Sequence, residues 1–131
     1  MVYKNFENKK HINISSETEL QKIVVNYIRE HHPNLLFTCT HTNTMLSSPQ
    51  DRYQATSLGY TNGLPDLYIF STRGKYTGFA LELKNTWGTG DLSIEQEQVL
   101  DKLENEGNYC MVSNDLIDII SKLIKYDNCL L

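Results

Sequence analysis

Gly63-Leu64-Pro65-Asp66-Leu67-Tyr68-Ile69-Phe70 and Gly78-Phe79-Ala80-Leu81-Glu82-Leu83-Lys84, joined across a turn-like Ser71-Thr72-Arg73-Gly74-Lys75, decide how this chain folds. Asp66 to Phe70 and Gly78 to Lys84 are rich in apolar and aromatic residues and are bounded by turn formers, so each reads as a strand and the pair as a hairpin. In the second strand Glu82 and Lys84 stand two residues apart and leave one face, while Leu81 and Leu83 leave the other. A sheet that buries the leucines must either solvate that charged pair or use it. Asp66 opens the partner strand directly after Pro65, which fixes the approach of the chain, and a hairpin of this length brings Asp66 toward Glu82.

Upstream, Ser16-Glu17-Thr18-Glu19 has the form of a capping box, and Leu20, Ile23, Val24, Tyr27 and Ile28 recur at helical spacing up to His31-His32-Pro33. Leu35 to Thr40 reads as a short strand, and His41 to Asn62 as a long loop or small irregular insertion. Downstream, a Gly88-Thr89-Gly90-Asp91 turn precedes Ser93, which caps a helix with Ile94, Val99, Leu100 and Leu103 on one face, stopped at Glu106-Gly107-Asn108. A strand from Tyr109 to Val112 follows, then a helix from Asn114 to Lys125 with Leu116, Ile117, Ile120 and Leu123 as its stripe. The expected fold is α/β, a mixed sheet flanked by helices in the order αβββαβα. With 131 residues there is room for one core, so residues 14–131 are expected to form a single domain behind a polar tail, residues 1–13.

No apolar run approaches the roughly 20 residues of a membrane span, and the polar start has no signal-peptide core, so an intracellular location is expected. Cys39, Cys110 and Cys129 contain no CxxC pair, which argues for core-filling residues rather than a disulfide framework or a structural zinc. The net charge of −4 divides unevenly: residues 1–90 carry nine Lys/Arg against seven Asp/Glu (+2), and residues 91–131 carry three against nine (−6). With three carboxylates of the first part taken as metal ligands, its remaining surface is +5, workable for phosphate contact.

Asp66 and Glu82 together suit a hard, oxygen-seeking cation such as Mg²⁺, which polarises a phosphate, while Lys84 positions a water or stabilises developing charge. The competing reading is an exposed Asp at a strand start and a solvated Glu/Lys pair on an edge strand. Taken jointly, Gly63-Leu64-Pro65-Asp66-Leu67, then Glu82-Leu83-Lys84, then Leu92-Ser93-Ile94-Glu95-Gln96 with Leu103 and Gly107 behind it, resemble the VRR-NUC branch of the PD-(D/E)XK nuclease superfamily from about Glu17 to Tyr126. Leu64 where Val is frequent and Ile94 where Pro is common are the departures, and neither touches the chemistry.

The resemblance implies a restriction-endonuclease-like core and a DNA phosphodiesterase dependent on Mg²⁺ or Mn²⁺. It implies a catalytic set of Glu17, Asp66, Glu82, Lys84 and Gln96, with Asp66, Glu82 and Glu17 on the metal. Stand-alone members of the family are linked to junction cutting, so branched or four-way DNA is the expected substrate, and paired cuts in a junction ask for a homodimer. A catalytically silent nucleic-acid-binding module, or a nuclease for RNA or linear ends, are the alternatives.

Helical periodicity tests two of these assignments. With Leu20 as origin, Glu17 lies about 60° from the centre of the apolar face and Glu19 about 100° on the other flank, where it serves the cap. Gln96 shares a face with Val99, Leu100 and Leu103, and Gln98 points away; an amide bonded to neighbouring backbone is the alternative role for Gln96. His31 and His32 at a helix end suit the helix dipole better than a metal. His41, Asn43 and Arg52 are candidate DNA contacts, and Trp87 either covers the sheet edge or stacks on a base.

Overall fold

The computed structural model describes residues 16–84 and 91–131. Helix α1, Glu17–His31, is followed by β1, Phe37–Cys39; a 3-10 turn, Thr44–Leu46; α2, Pro49–Ser57; β2, Leu67–Ile69; β3, Phe79–Leu83; α3, Ile94–Asn105; β4, Tyr109–Ser113; and α4, Leu116–Asp127. The four strands lie in the order β1-β2-β3-β4, antiparallel up to β3 and parallel between β3 and β4. A parallel pair cannot be joined by a tight turn, and α3 is the crossover that joins this one. The tail, residues 1–13, and Trp87 with the Gly88-Thr89-Gly90 turn lie outside the described residues.

Alternation along the strands builds two layers. Phe79, Leu81 and Leu83 of β3 join Leu67, Ile69, Tyr109 and Met111 under Leu20, Val24 and Ile28 of α1 and Ile119, Leu123 and Tyr126 of α4. On the opposite face Ala80, Cys110 and Val112 meet Leu100 of α3. Covered on both faces, β3 is buried at all five positions. Among the described residues no helix is long and apolar enough to cross a membrane.

Several expectations need correction. The stretch read as a loop holds α2, where Ser48 accepts from the Asp51 N–H at 3.0 Å and Pro49 sits in the first turn. Only Ala55 of α2 is buried, so no apolar stripe announces the helix, and its cap is its one local signal. The element order therefore gains a helix. Ile94 is 73% exposed, because it begins α3 outside the face that Leu100 presents. The stripe of α4 runs through Leu116, Ile119, Leu123 and Tyr126, with Ile117 half exposed, since it stands about 100° round the helix from Leu116 on the side away from Ile119 and Tyr126. Cys110 alone of the cysteines is buried, and burial pushes its thiol up to about 12. Cys39 on edge strand β1 and Cys129 after α4 are exposed.

The far end of the core is tied by Asp127. Its carboxylate accepts from His32 Nδ1 at 2.8 Å and Arg73 Nε at 3.0 Å, joining the ends of α1 and α4 to the β2–β3 turn. His32 is thus a buried structural contact. Desolvation pushes the Asp127 carboxyl up, but the hydrogen bonds and charges of His32 and Arg73 prevail and hold it below its ordinary value. A carboxyl depressed in the folded state adds stability above its unfolded value, near pH 4, and that stability is lost as pH falls through the folded value. Asp127→Asn should therefore lower urea stability by about 1–2 kcal/mol at pH 7, with the difference from the parent protein shrinking as the pH is brought down toward ~3.

Candidate active site

Extending the β2–β3 register by one residue past Leu67↔Leu81 sets Asp66 across from Glu82. Cross-strand partners share a face and stand roughly 5 Å apart at Cα, so the two carboxylates converge by backbone geometry alone. Thr40 holds the entry to β2: its N–H donates to the Asp66 carbonyl at 3.1 Å and its hydroxyl to the Pro65 carbonyl at 2.5 Å. Because Leu81 and Leu83 fill the core under α1 and α4, Glu82 is turned toward α3. Lys84 follows, its N–H donating to the Ser113 carbonyl at 3.0 Å and prolonging the β3–β4 ladder. Glu82 is 4% exposed and Lys84 8%, in a central strand, which rules out a solvated pair on an edge strand.

Glu82 and Asp66 are both held by side-chain or backbone donors. Gln96 Nε2 donates to Glu82 Oε1 at 2.8 Å, and Lys84 Nζ lies 3.9 Å from the same oxygen. The Gln96 side-chain Oε1 accepts from the Ser93 N–H at 3.0 Å while the Ser93 hydroxyl accepts from the Gln96 backbone N–H at 3.1 Å, a complete capping box. Both roles weighed for Gln96 are therefore filled at once, its oxygen capping α3 and its amide nitrogen fixing Glu82. Asp66 Oδ2 accepts from the Leu83 N–H at 2.7 Å.

Burial is the largest influence on both carboxyls. It raises Asp66, against the Leu83 N–H and the nearby charges of His41 and Lys84. It raises Glu82 to about 8, helped by the charge of Asp66 and, more weakly, of Glu17, and opposed by Lys84. Glu17 is exposed on the first turn of α1. Among the described residues no three His, Cys, Asp or Glu side chains gather into a metal cage. The donors present still fit a small hard cation: two facing carboxylate oxygens, with a repulsion that a cation would relieve, match an ion usually held by one or two carboxylates and water.

His41 and Asn43 line a groove between α1 and β1, and His41 stands edge-on to Tyr60 at 6.0 Å between ring centroids. Tyr60 was not singled out in the sequence. Burial raises its hydroxyl, and the charges of Glu82 and Asp66 raise it further; no local pattern around Gly59-Tyr60 marks that position. Arg52 is exposed on α2, and no described contact brings it to the carboxylates.

A solved structure described as a VRR_NUC domain protein superposes with a TM-score of 0.66 over 90% of this chain and 92% of its own, at 22% sequence identity. This chain has the VRR_NUC fold. The α/β architecture expected from the hairpin and from the resemblance is thereby met. No family model and no curated protein matches the chain.

One contact within this VRR_NUC fold joins the loop before Asp66 to the start of α3. Gly63 has φ +88°, and a Cβ there would stand 2.6 Å from the Glu95 carbonyl carbon and oxygen and 2.8 Å from the Gln96 nitrogen. These are backbone atoms of a capped helix and cannot step aside. Gly63→Ala should cost at least ~2 kcal/mol of stability in urea, combining left-handed strain with the clash. Gly59→Ala, at φ +107° with nothing within 4 Å, should cost only about 1 kcal/mol.

Proposed function

We propose that the chain is a divalent-metal-dependent nuclease that hydrolyses phosphodiester bonds in DNA. The carrying observation is the buried Glu82, placed in the central strand opposite Asp66 and held by Gln96 and Lys84. Removing such a carboxylate from water costs several kcal/mol, and a module that only bound nucleic acid would need none of it. The VRR-NUC resemblance of Glu82-Leu83-Lys84 and of the Gly63 to Leu67 stretch supports the same reading.

Asp66 and Glu82 would hold Mg²⁺ or Mn²⁺ between them. The cation would supply Lewis-acid polarisation of the scissile phosphate and a lowered pKa for a water. Gln96 keeps Glu82 Oε1 in place, so the free choice of that carboxylate is reduced to one orientation. Lys84 carries its ammonium to the same edge, where it orients the attacking water and offsets negative charge growing on the phosphate; a group so aimed is commonly worth about 3 kcal/mol. Glu17, on the first turn of α1, lies where its charge is felt at Glu82 and would complete the acidic set through water. The substrate class we favour is branched DNA, cut at two sites by a two-fold dimer.

Lys84→Met keeps the aliphatic stem, so the folded variant should bind metal and DNA nearly as the parent does and lose about a hundredfold in single-turnover cleavage. Asp66→Ala and Glu82→Ala should lose metal affinity and cleavage together. Wild-type cutting by Lys84→Met, or cutting that persists after exhaustive EDTA treatment, removes the assignment. For the substrate, labelled linear, flapped and four-way DNA in Mg²⁺ should be cut fastest as the four-way form, with light scattering giving a dimer; a monomer both free and on junction DNA removes the paired-cut model and leaves the nuclease.

A further inference from the structure

The groove between α1 and β1 encloses about 680 Å³ and is not accounted for by the carboxylate centre. Its α1 wall is a stripe from Thr18 through Lys22 and Val25 to Arg29. At 1.5 Å per residue that stripe is about 16 Å long, the rise of four or five stacked nucleotides at ~3.4 Å each. The floor is apolar and aromatic, with Val25 and Phe37, and the Arg29 guanidinium stands 5.8 Å from the Phe37 ring centre. In a chain of net charge −4, none of the described residues lining this groove is acidic, while two are basic.

The groove also runs into the centre. Thr18 at one end adjoins Glu17, and on the β1 side His41 Nδ1 lies 3.0 Å from the hydroxyl of Thr40, whose N–H donates to the Asp66 carbonyl. Phosphates suit Lys22 and Arg29, but a duplex keeps its base faces stacked inside and has nothing to offer the apolar floor. A single strand offers both phosphates and base faces, the combination that positive grooves with aromatic floors bind.

We propose that this groove binds one unpaired nucleic-acid strand, with Lys22 and Arg29 on its phosphates and Phe37 beneath a base, and leads it to Asp66 and Glu82. Such a strand would have to be splayed from its complement beside the cut, which deepens the nuclease reading above and rests on it for the destination of the strand.

The test is fluorescence anisotropy with a short labelled single strand, and the same sequence as duplex, in EDTA so that nothing is cut. The wild-type chain should bind the single strand more tightly than the duplex. Lys22→Glu/Arg29→Glu should bind it at least about tenfold more weakly, with a salt slope shallower by about 1.4, the value for two lost single-strand phosphate contacts. Lys22→Gln/Arg29→Gln provides the same readout if charge reversal perturbs folding. Lys75→Glu/Lys102→Glu makes the same change in net charge on exposed residues elsewhere and should bind as the wild type does. Phe37→Leu should weaken single-strand binding about fivefold without changing the salt slope.

A preference for duplex, unaltered binding by both Lys22/Arg29 variants, or an equal loss in Lys75→Glu/Lys102→Glu overturns the groove. Cutting in Mg²⁺ judges the nuclease reading separately. A chain that cuts DNA while its Lys22/Arg29 variants bind normally keeps that reading and loses the groove; one that binds through the groove and cuts nothing in Mg²⁺ or Mn²⁺ does the reverse.

Discussion

A carboxylate inside the central strand of a sheet is the constraint around which the molecule is arranged. Strand β3 is covered on both faces, and Glu82 occupies a position where alternation with Leu81 and Leu83 would ordinarily place another apolar side chain. Leaving that charge alone in the interior costs several kcal/mol. Its partners are drawn from three places: the start of β2 through the Asp66 backbone N–H, the end of β3 through Lys84, and the first turn of α3 through Gln96. The hairpin and the crossover helix have to meet at one point for those partners to arrive together. The leucines on the reverse of β3, buried under α1 and α4, hold the strand while they do so.

The first turn of α3 contributes more than one amide. Helix starts carry partial positive charge on N–H groups that lack partners, and this start is brought against the acidic pair by Gln96 on Glu82 and by the close approach of Gly63 to Glu95. The capping box satisfies the Ser93 and Gln96 N–H groups and leaves the Gln96 amide nitrogen for the carboxylate. Secondary structure and site chemistry are thus made by the same side chain, so substitution of Gln96 disturbs both.

Much of this was legible in the sequence because it follows from period and register. Two-residue alternation placed Glu82 and Lys84 opposite the leucines, and the hairpin placed Asp66 beside them. Helical spacing turned Gln96 inward and Gln98 out, as found. Where it failed, the signal was missing or shifted. Helix α2 buries Ala55 alone, so apolar period could not reveal it, although Ser48-Pro49-Gln50-Asp51 carries a cap. Ile94 was placed on the inner face of α3 and Ile117 on that of α4, but at about 100° per residue Ile94 stands roughly 120° from Leu100 and Ile117 roughly 100° from Leu116, so both turn outward. Tyr60 meets His41 only because α2 returns the chain there, a tertiary fact with no local pattern.

The parallel pairing of β3 with β4 has a consequence for the order in which the protein assembles. The β2–β3 hairpin closes over a short separation and can form in microseconds, bringing Asp66 toward Glu82 early. Pairing of Leu81 with Met111 must wait for a loop of about thirty residues to close around α3, a slower and entropically costlier event. Only that event places Gln96 over Glu82 and excludes water from it. In a nascent or partly folded chain the two acids are near one another but hydrated and free to turn, so the centre acquires its geometry in the same step that completes the fold.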